Sequence, residues 1–340
     1  MQPTRHIDLR LPRGWNRCTT EELEQIAQVT HDCQSRVDRY HPFDPQQVKL
    51  ALFFLFTHLT ITGQGEDEKG NVYYEVLRQG DKESFPLYLW QINYWINGES
   101  GKPQDNRKKV KPGILDWLNA DNPKGLTNFP YPEIRLKKHW YSLRKKTFGS
   151  PGPSFSSASY EQYRIAQDYM QLYTILQNKF LQAKKNATAP DASTSGLAKQ
   201  MNEAKAKFLA TIFLAKVDYI DSHTGMPKHD YHYASSQTQE NYPYFLSFPD
   251  TKFQVVLFWW SGIMRLLSSK FPHIFKTSKV ESKTQVSPLD VYTNTIAALQ
   301  KYTAQTEESL NTQLHTVTLK DLDNMVHEAE EMEKISKKHK

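Results

Sequence analysis

The sequence is poor in cysteine and contains no apolar run of membrane-spanning length. Its two cysteines, Cys18 and Cys33, are too few for a disulfide framework or for a four-thiolate metal site. The first residues lack the apolar core of a secretory signal peptide. Polar residues and a glycine interrupt the apolar stretch Phe253–Leu267 well short of the ~20 residues that a membrane span requires. We therefore expect a cytoplasmic protein with reduced thiols and no membrane partner.

Complete catalytic motifs are also missing. The sequence has no Gly-x-Ser-x-Gly, no Walker phosphate loop and no Gly-x-Gly-x-x-Gly after a predicted strand. Cys18 stands beside a predicted helix start, which can lower a thiol pKa, but a partly buried thiol beside Trp15 is the simpler interpretation. Glu330 and Glu331 diverge by about 100° on a helix, so they indicate a solvated face and not an acid/base pair. The sequence predicts a protein that is not an enzyme and that needs no cofactor.

Positive charge is concentrated in one segment. The formal net charge is +6, and the range Gly101–Ser150 holds twelve Lys and Arg residues against four Asp and Glu residues. Within it, cations alternate with aromatic rings, as backbone neutralisation and base stacking would require in a nucleic-acid interface. A solvated face or an acidic protein partner would explain the same pattern. The candidate contact residues are Arg107, Lys108, Lys109, Arg135, Lys137, Lys138, Trp140, Tyr141, Arg144, Lys145 and Lys146.

A histidine-rich loop supplies the candidates for a metal site. His223, His229, Asp230 and His232 are of types that suit zinc or a similar divalent ion. Their spacing matches no established ligand pattern, and several tyrosines lie among them. Packing of this loop on the core is therefore the favoured interpretation, and the sequence predicts no metal.

Capping signals mark the predicted helices. Thr19 with Glu22, Asp44 before Pro45, and Ser159 with Gln162 each satisfy the backbone of a first helical turn. The predicted helices run over about 20–35, 45–59, 160–183, 198–222, 248–271, 288–305 and 318–338. The last one has a narrow apolar stripe, so it either packs on the body of the protein or docks with a partner.

The predicted fold is mainly α. We expect a bundle of six to eight helices around the central apolar helix Phe253–Leu267, with a small β hairpin or insertion between Val72 and Leu143. Gly63–Asn71 and His223–Tyr244 are predicted loops. Periodicity does not decide between helix and strand for Phe85–Ile96, and the alternation after Pro132 indicates a short strand as one arm of a hairpin. The predicted domains are an N-terminal helical region over 1–150, which contains the β element and the basic segment, and a C-terminal helical bundle over 151–340 with a flexible insertion at 184–196.

Four stretches together give the chain a family resemblance. They are Leu11–Leu23 (LPRGWNRCTTEEL), Phe148–Pro151 with Phe155, Phe271–Phe275 (FPHIF) and Glu328–Lys334 (EAEEMEK). With them the chain resembles uncharacterised proteins encoded in prophage-like regions of gut Bacteroidetes, among virion-morphogenesis genes. The resemblance implies a role like that of a tail-assembly chaperone and brings no functional residues with it.

The combined prediction is a non-enzymatic, phage-related assembly or scaffolding protein that acts through protein–protein contacts. The basic segment and the final helix are the expected contact surfaces. The alternative is a nucleic-acid-binding accessory protein that uses the 101–150 segment, and a metal-dependent hydrolase is the third possibility.

Overall fold

A computed structural model describes residues 12, 14–35, 44–98, 113–118, 125–139, 141–150, 152–186, 192–220, 225–276 and 288–338. Within these ranges the protein is mainly α, as the sequence predicts, with ten α-helices and two small antiparallel sheets. The helices are α1 Thr20–Ser35, α2 Pro45–Thr57, α3 Leu89–Asn97, α4 Tyr160–Asn186, α5 Ala192–Ile212, α6 Ser235–Phe245, α7 Asp250–Lys270, α8 Pro288–Thr303, α9 Glu307–Thr312 and α10 His315–Lys338. The strands are β1 Leu59–Glu66, β2 Val72–Arg78, β3 Phe85–Tyr88, β4 Glu133–Lys137, β5 Lys145–Gly149, β6 Leu214–Ile220 and β7 Pro227–Tyr231. The arrangement of a bundle around one central helix stays a prediction.

The chain forms two compact units. The first consists of Met1–Pro130 and Asp250–Gly262, and the second of Tyr131–Pro249 and Ile263–Lys340. Both units are therefore discontinuous in sequence, whereas the predicted domains were continuous, with a boundary after residue 150. Of the predicted insertion 184–196, residues 187–191 lie outside the described ranges.

Helices α1 and α2 of the first unit begin where their caps predict. The Glu22 carboxylate accepts a hydrogen bond from the Thr19 backbone N–H at 2.7 Å, and the Thr19 hydroxyl accepts one from the Glu22 N–H at 3.2 Å. This reciprocal pair satisfies two amide groups that the helix itself leaves unbonded. The Asp44 side chain caps α2 in the same way through the Gln46 N–H at 2.9 Å. Local capping chemistry thus fixed both starts.

The sheet of the first unit corrects two predictions. Helix α2 was expected to continue to Leu59, but it ends at Thr57, and His58 follows with a φ of 53°. Leu59 begins β1, which pairs with β2 through a register shift between Ile61 and Gly63. Residues 63–66, predicted to belong to a loop, are therefore part of a strand, because pairing with β2 overrides the low strand propensity of glycine.

The stretch Phe85–Ile96, which periodicity left undecided, contains both kinds of structure. Its first residues form β3 against β2, and α3 follows without a connecting loop. The backbone N–H of Tyr88 donates to Gln91 Oε1 at 3.1 Å where the two elements meet. Side chains from α2, β2 and α3 then fill the core of this unit, including the fully buried Leu52, Phe53, Val76 and Ile92.

The first half of α7 is buried in the first unit, as its apolar sequence predicts. Phe253, Val255 and Val256 are inaccessible to solvent or nearly so. Trp259 is also fully buried, and its indole N–H donates to the Thr127 carbonyl at 3.2 Å. The hydrogen bond removes the penalty of burying an indole N–H in an apolar core. The ring of Phe129 meets Trp259 edge-on at 4.6 Å between centroids.

Helix α5 packs against both α4 and α6 in the second unit, and α6 contacts strand β4 of its sheet. The sheet has the strand order β4-β5-β6-β7, and all its pairs are antiparallel. The prediction of a hairpin arm after Pro132 is confirmed by β4 and β5. The predicted helix 198–222 is corrected, because α5 ends at Ile212 and β6 follows. The predicted loop 223–244 is corrected too, since it contains β7 and most of α6.

Candidate binding surface on the second sheet

One face of the β4–β5 hairpin carries the cations that the sequence analysis selected. Side chains alternate along a strand, so Arg135 and Lys137 of β4 lie on the same face. The register places Thr147 opposite Arg135 and Lys145 opposite Lys137. Arg135, Lys137 and Lys145 are all exposed. This face, extended across β6 and β7, is called the outer face below.

The inner face of the hairpin packs on α6. Phe148 is fully buried, with its ring 5.0 Å from the ring of Phe245. Lys146 points the same way, and its ammonium group donates to Asn241 Oδ1 at 2.8 Å. The same ammonium lies 5.8 Å from the centroid of the Tyr244 ring. Lys146, one of the predicted contact residues, is therefore bound within its own unit.

The outer face brings two like charges together. Lys137 and Lys145 are direct cross-strand partners at the end of the hairpin next to its connecting loop. Cations placed directly opposite each other destabilise a strand pair. The Glu133 carboxylate lies 3.5 Å from the Arg135 guanidinium, and both groups are largely solvent-exposed. The two lysines thus present a local positive charge that an anionic group can stabilise.

Tyr231 of β7 lies across Gly149 on the same face. A Cβ atom at Gly149 would stand 2.5 Å from Tyr231 Cε2, so this position accommodates no larger residue without a shift. The Tyr231 hydroxyl donates to Glu133 Oε2 at 3.2 Å, and Lys216 Nζ lies 5.2 Å from the ring centroid. Partial burial, followed by the Glu133 charge, raises the pKa of Tyr231, so its hydroxyl is protonated at neutral pH.

The tip of the hairpin exposes apolar and aromatic side chains among cations. Leu143 is 95% exposed and Tyr141 66% exposed. The rings of His139 and Tyr141 stack with centroids 5.1 Å apart and planes 5° apart. Lys138 and Arg144 flank them and are also exposed. A leucine that is almost fully in water contributes nothing to the core of the second unit.

The structure groups six of the eleven predicted contact residues on the outer face and the tip. These are Arg135, Lys137, Lys138, Tyr141, Arg144 and Lys145. Lys146 faces inward, and Arg107, Lys108, Lys109 and Trp140 lie outside the described residues. Sequence reasoning missed Lys216 and Tyr231, which join the outer face from β6 and β7. The alternation of polar and apolar residues from Lys216 to Tyr219 is the sequence signal that could have indicated a strand there.

The predicted metal candidates lie on or near β7. His229 and Asp230 are consecutive positions of that strand, and His232 follows it. The Asp230 carboxylate accepts a hydrogen bond from the Tyr231 backbone N–H at 2.7 Å. His223 is outside the described residues. Among the described residues, a different group, His273, His327 and Glu330, has potential ligand atoms within 4.8 Å of one another.

The final helix, α10, also exposes apolar side chains. Its first half packs inward through the buried Leu319. Towards its end Met332 is 68% exposed and Ile335 55% exposed. Residues three apart are neighbours on a helix surface, so these two form one small apolar patch.

The sequence matches no protein-family model, no curated protein and no solved structure. Among the helices in the described ranges, none combines the length and the apolar character needed to cross a membrane.

Proposed function

We propose that this protein is a non-enzymatic, phage-related assembly or scaffolding protein that works by binding an acidic protein partner. The phage-related part of the proposal is supported by the resemblance of four stretches of the chain to prophage-encoded proteins. These stretches are Leu11–Leu23, Phe148–Pro151 with Phe155, Phe271–Phe275 and Glu328–Lys334. The contact surface would be the hairpin tip together with the outer face of the second sheet.

The observation that carries the proposal is the exposure of Leu143 between cations. An exposed leucine and an exposed tyrosine within a basic rim resemble the centre of a protein interface, where apolar anchors are surrounded by polar residues. A partner with an apolar pocket edged by carboxylates would cover Leu143 and Tyr141 and would neutralise Lys137 and Lys145. The Met332 and Ile335 patch on α10 offers a second, separate contact of the same kind.

The test is affinity capture with matched variants. Purified protein would be used as bait in a lysate of cells producing the associated virion proteins, and captured proteins would be quantified by mass spectrometry. We expect an acidic protein that is captured by the wild type and lost with Y141A/L143A. The control is L172A/I175A, because these two α4 side chains are apolar and each 44% exposed. Equal capture by both double variants, or no specific capture, would contradict the proposal.

Nucleic-acid binding is the second candidate, and the stacked rings of His139 and Tyr141 beside exposed lysines favour it. Exposed rings next to cations are what single-stranded nucleic acid requires for base stacking and backbone neutralisation. Fluorescence anisotropy with a labelled oligonucleotide at two salt concentrations separates the candidates. Nucleic-acid binding predicts affinity that falls with salt at a slope of about −0.7 per neutralised phosphate of a single strand. It also predicts that Y141A weakens binding, whereas L143A leaves it unchanged.

A further inference from the structure

Two histidines and a glutamate from distant parts of the second unit converge on one point. His327 and Glu330 are three residues apart on α10, so their side chains share one helix face. His273 belongs to the short segment that follows α7. One potential ligand atom from each of the three residues lies within 4.8 Å of the others. The His273 Nδ1 and Glu330 Oε2 atoms are 3.2 Å apart.

The backbone around His273 is held against α10 by a fourth residue. Asp323 Oδ1 accepts hydrogen bonds from the His273 N–H at 2.8 Å and from the Ile274 N–H at 3.1 Å. Asp323 precedes His327 by four residues, so it lies on the same helix face one turn earlier. The backbone that carries His273 is therefore held against α10 before any ligand binds. Such preorganisation lowers the entropy cost of assembling a site.

The two imidazole rings contact each other directly. The ring centroids of His273 and His327 are 4.3 Å apart, with planes inclined at 35°. Each imidazole ring has a nitrogen that can offer a lone pair to a shared cation.

We propose that His273, His327 and Glu330 bind one divalent transition-metal ion, with Zn²⁺ as the preferred ion. Two imidazoles and a carboxylate suit zinc, cobalt or nickel, whereas magnesium and calcium prefer sites made of oxygen ligands. The ion would join the segment after α7 to α10. Three protein ligands leave a fourth position of a tetrahedral ion for water or for a group from a partner. The inference is independent of the binding function proposed above.

Lys276 competes for the same carboxylate. Its Nζ lies 2.6 Å from Glu330 Oε2 and 2.8 Å from Oε1. The ion pair is exposed, so releasing the lysine to water costs little. A metal ion would take the place of the ammonium group at one carboxylate oxygen. Removal of the lysine should therefore strengthen metal binding, which is the reverse of what a loss of structure would do.

The experiment uses the full chain without a histidine tag, stripped with EDTA and dialysed. Isothermal titration with Zn²⁺ should show one ion bound per chain, and Co²⁺ should give visible absorption bands of a low-symmetry site. We expect H273A and H327A each to weaken Zn²⁺ binding by at least about tenfold, since even loss of an outer-shell partner costs 10–100-fold. E330Q should weaken it as well, and K276Q should strengthen it.

The matched control is E331Q. Glu331 is the next residue of α10 and forms its own ion pair with Lys334 at 2.6 Å, outside the histidine cluster. The E331Q variant should bind Zn²⁺ with the same affinity as the wild type. Circular dichroism of each variant without metal should match the wild type, because the side chains of the cluster lie at the surface. Absence of Zn²⁺ binding by the wild type, or undiminished binding by the H273A/H327A double variant, would overturn the proposal.

Discussion

Gly125 and Gly262 lie against each other where a stretch of chain crosses α7. A Cβ atom at Gly125 would stand 2.5 Å from the Gly262 Cα, and one at Gly262 would stand 2.0 Å from the Leu126 carbonyl oxygen. Both contacts are with backbone, which cannot rotate out of the way as a side chain can. The pair of glycines therefore allows the stretch to approach α7 closely enough for the Thr127 carbonyl to accept the hydrogen bond of Trp259.

The first prediction is that Gly262→Ala destabilises the protein. Overpacking typically costs about 1–3 kcal/mol of unfolding free energy, and a backbone clash belongs at the upper end of that range. Urea unfolding followed by tryptophan fluorescence measures the loss.

Gly196→Ala is the control for that substitution. Gly196 lies within α5, and a Cβ atom there would meet no heavy atom within 4 Å. Replacing a helical glycine by alanine should raise stability by about 0.5–1 kcal/mol. Equal effects of the two substitutions would mean that the close approach at Gly262 is absent in solution.

The second prediction concerns the cross-strand lysines. Lys145→Thr removes one of two cations that face each other and introduces a residue favoured in strands. Stability should rise by a few tenths of a kcal/mol. Binding of an anionic partner should fall, because the partner then meets one cation fewer. Thermal unfolding and a binding assay on the same preparations measure both quantities.

Lys228→Thr is the matched control for this pair of opposite effects. Lys228 is an exposed strand lysine too, but its cross-strand partner is Tyr219. Both substitutions introduce threonine into a strand, so only the relief of lysine–lysine repulsion distinguishes them. We expect Lys228→Thr to gain less stability than Lys145→Thr and to leave binding unchanged. A loss of stability in Lys145→Thr would show that the lysine pair is not repulsive.

The third prediction is that Cys18 reacts slowly with thiol reagents. Burial, followed by the Glu22 charge, raises the pKa of the Cys18 thiol to about 12, and Sγ donates to the Gly14 carbonyl at 3.5 Å. The thiol is therefore partly buried and protonated, and the thiolate that a helix start can favour does not form. In Cys33→Ser, which leaves Cys18 as the sole thiol, alkylation at pH 8 should run at least about a hundredfold slower than for a free cysteine. Alkylation of the same variant unfolded in urea gives the rate for an exposed Cys18. Equal alkylation rates with and without urea would contradict the prediction.

The fourth prediction links stability to pH through His315. This side chain is fully buried between the rings of Phe155 and Tyr163, and its Nδ1 lies 3.1 Å from the Ala158 carbonyl oxygen. Burial lowers the pKa of His315, with a small contribution from the Lys270 charge, against the opposing hydrogen bond to Ala158. The unfolded chain, with its ordinary histidine pKa of about 6.5, therefore binds the proton more readily than the folded protein.

The sign of the effect follows from that difference. The neutral His315 side chain contributes fully to the free energy of unfolding above a pH of about 6.5. This contribution is lost as the pH falls towards the lower pKa of the folded state. The loss is at most about 1.4 kcal/mol per pH unit. Unfolding free energies of the wild type and of His315→Gln, measured between pH 7.5 and 5, should differ in slope. If the unfolding free energies of the two proteins changed with pH in parallel, His315 would not be the source of the pH dependence.

The sequence by itself determined the features that depend on neighbouring residues. Capping by Thr19 and Asp44 requires residues two or three positions away, so the starts of α1 and α2 could be predicted. The burial of α7 could be predicted from its own apolar sequence, without knowledge of the residues that pack against it. The same local reasoning identified the hairpin arm after Pro132 and the basic character of the segment that contains it.

Tertiary structure decided the elements and sites whose parts are far apart in sequence. Leu214–Ile220 became a strand because β5 and β7 supply its hydrogen bonds, and no local pattern reveals those partners. The spacing of His327 and Glu330 was visible on the predicted final helix, but His273 joins them only because the segment after α7 folds onto α10. Local sequence fixes what a segment prefers, and long-range pairing fixes what it contacts.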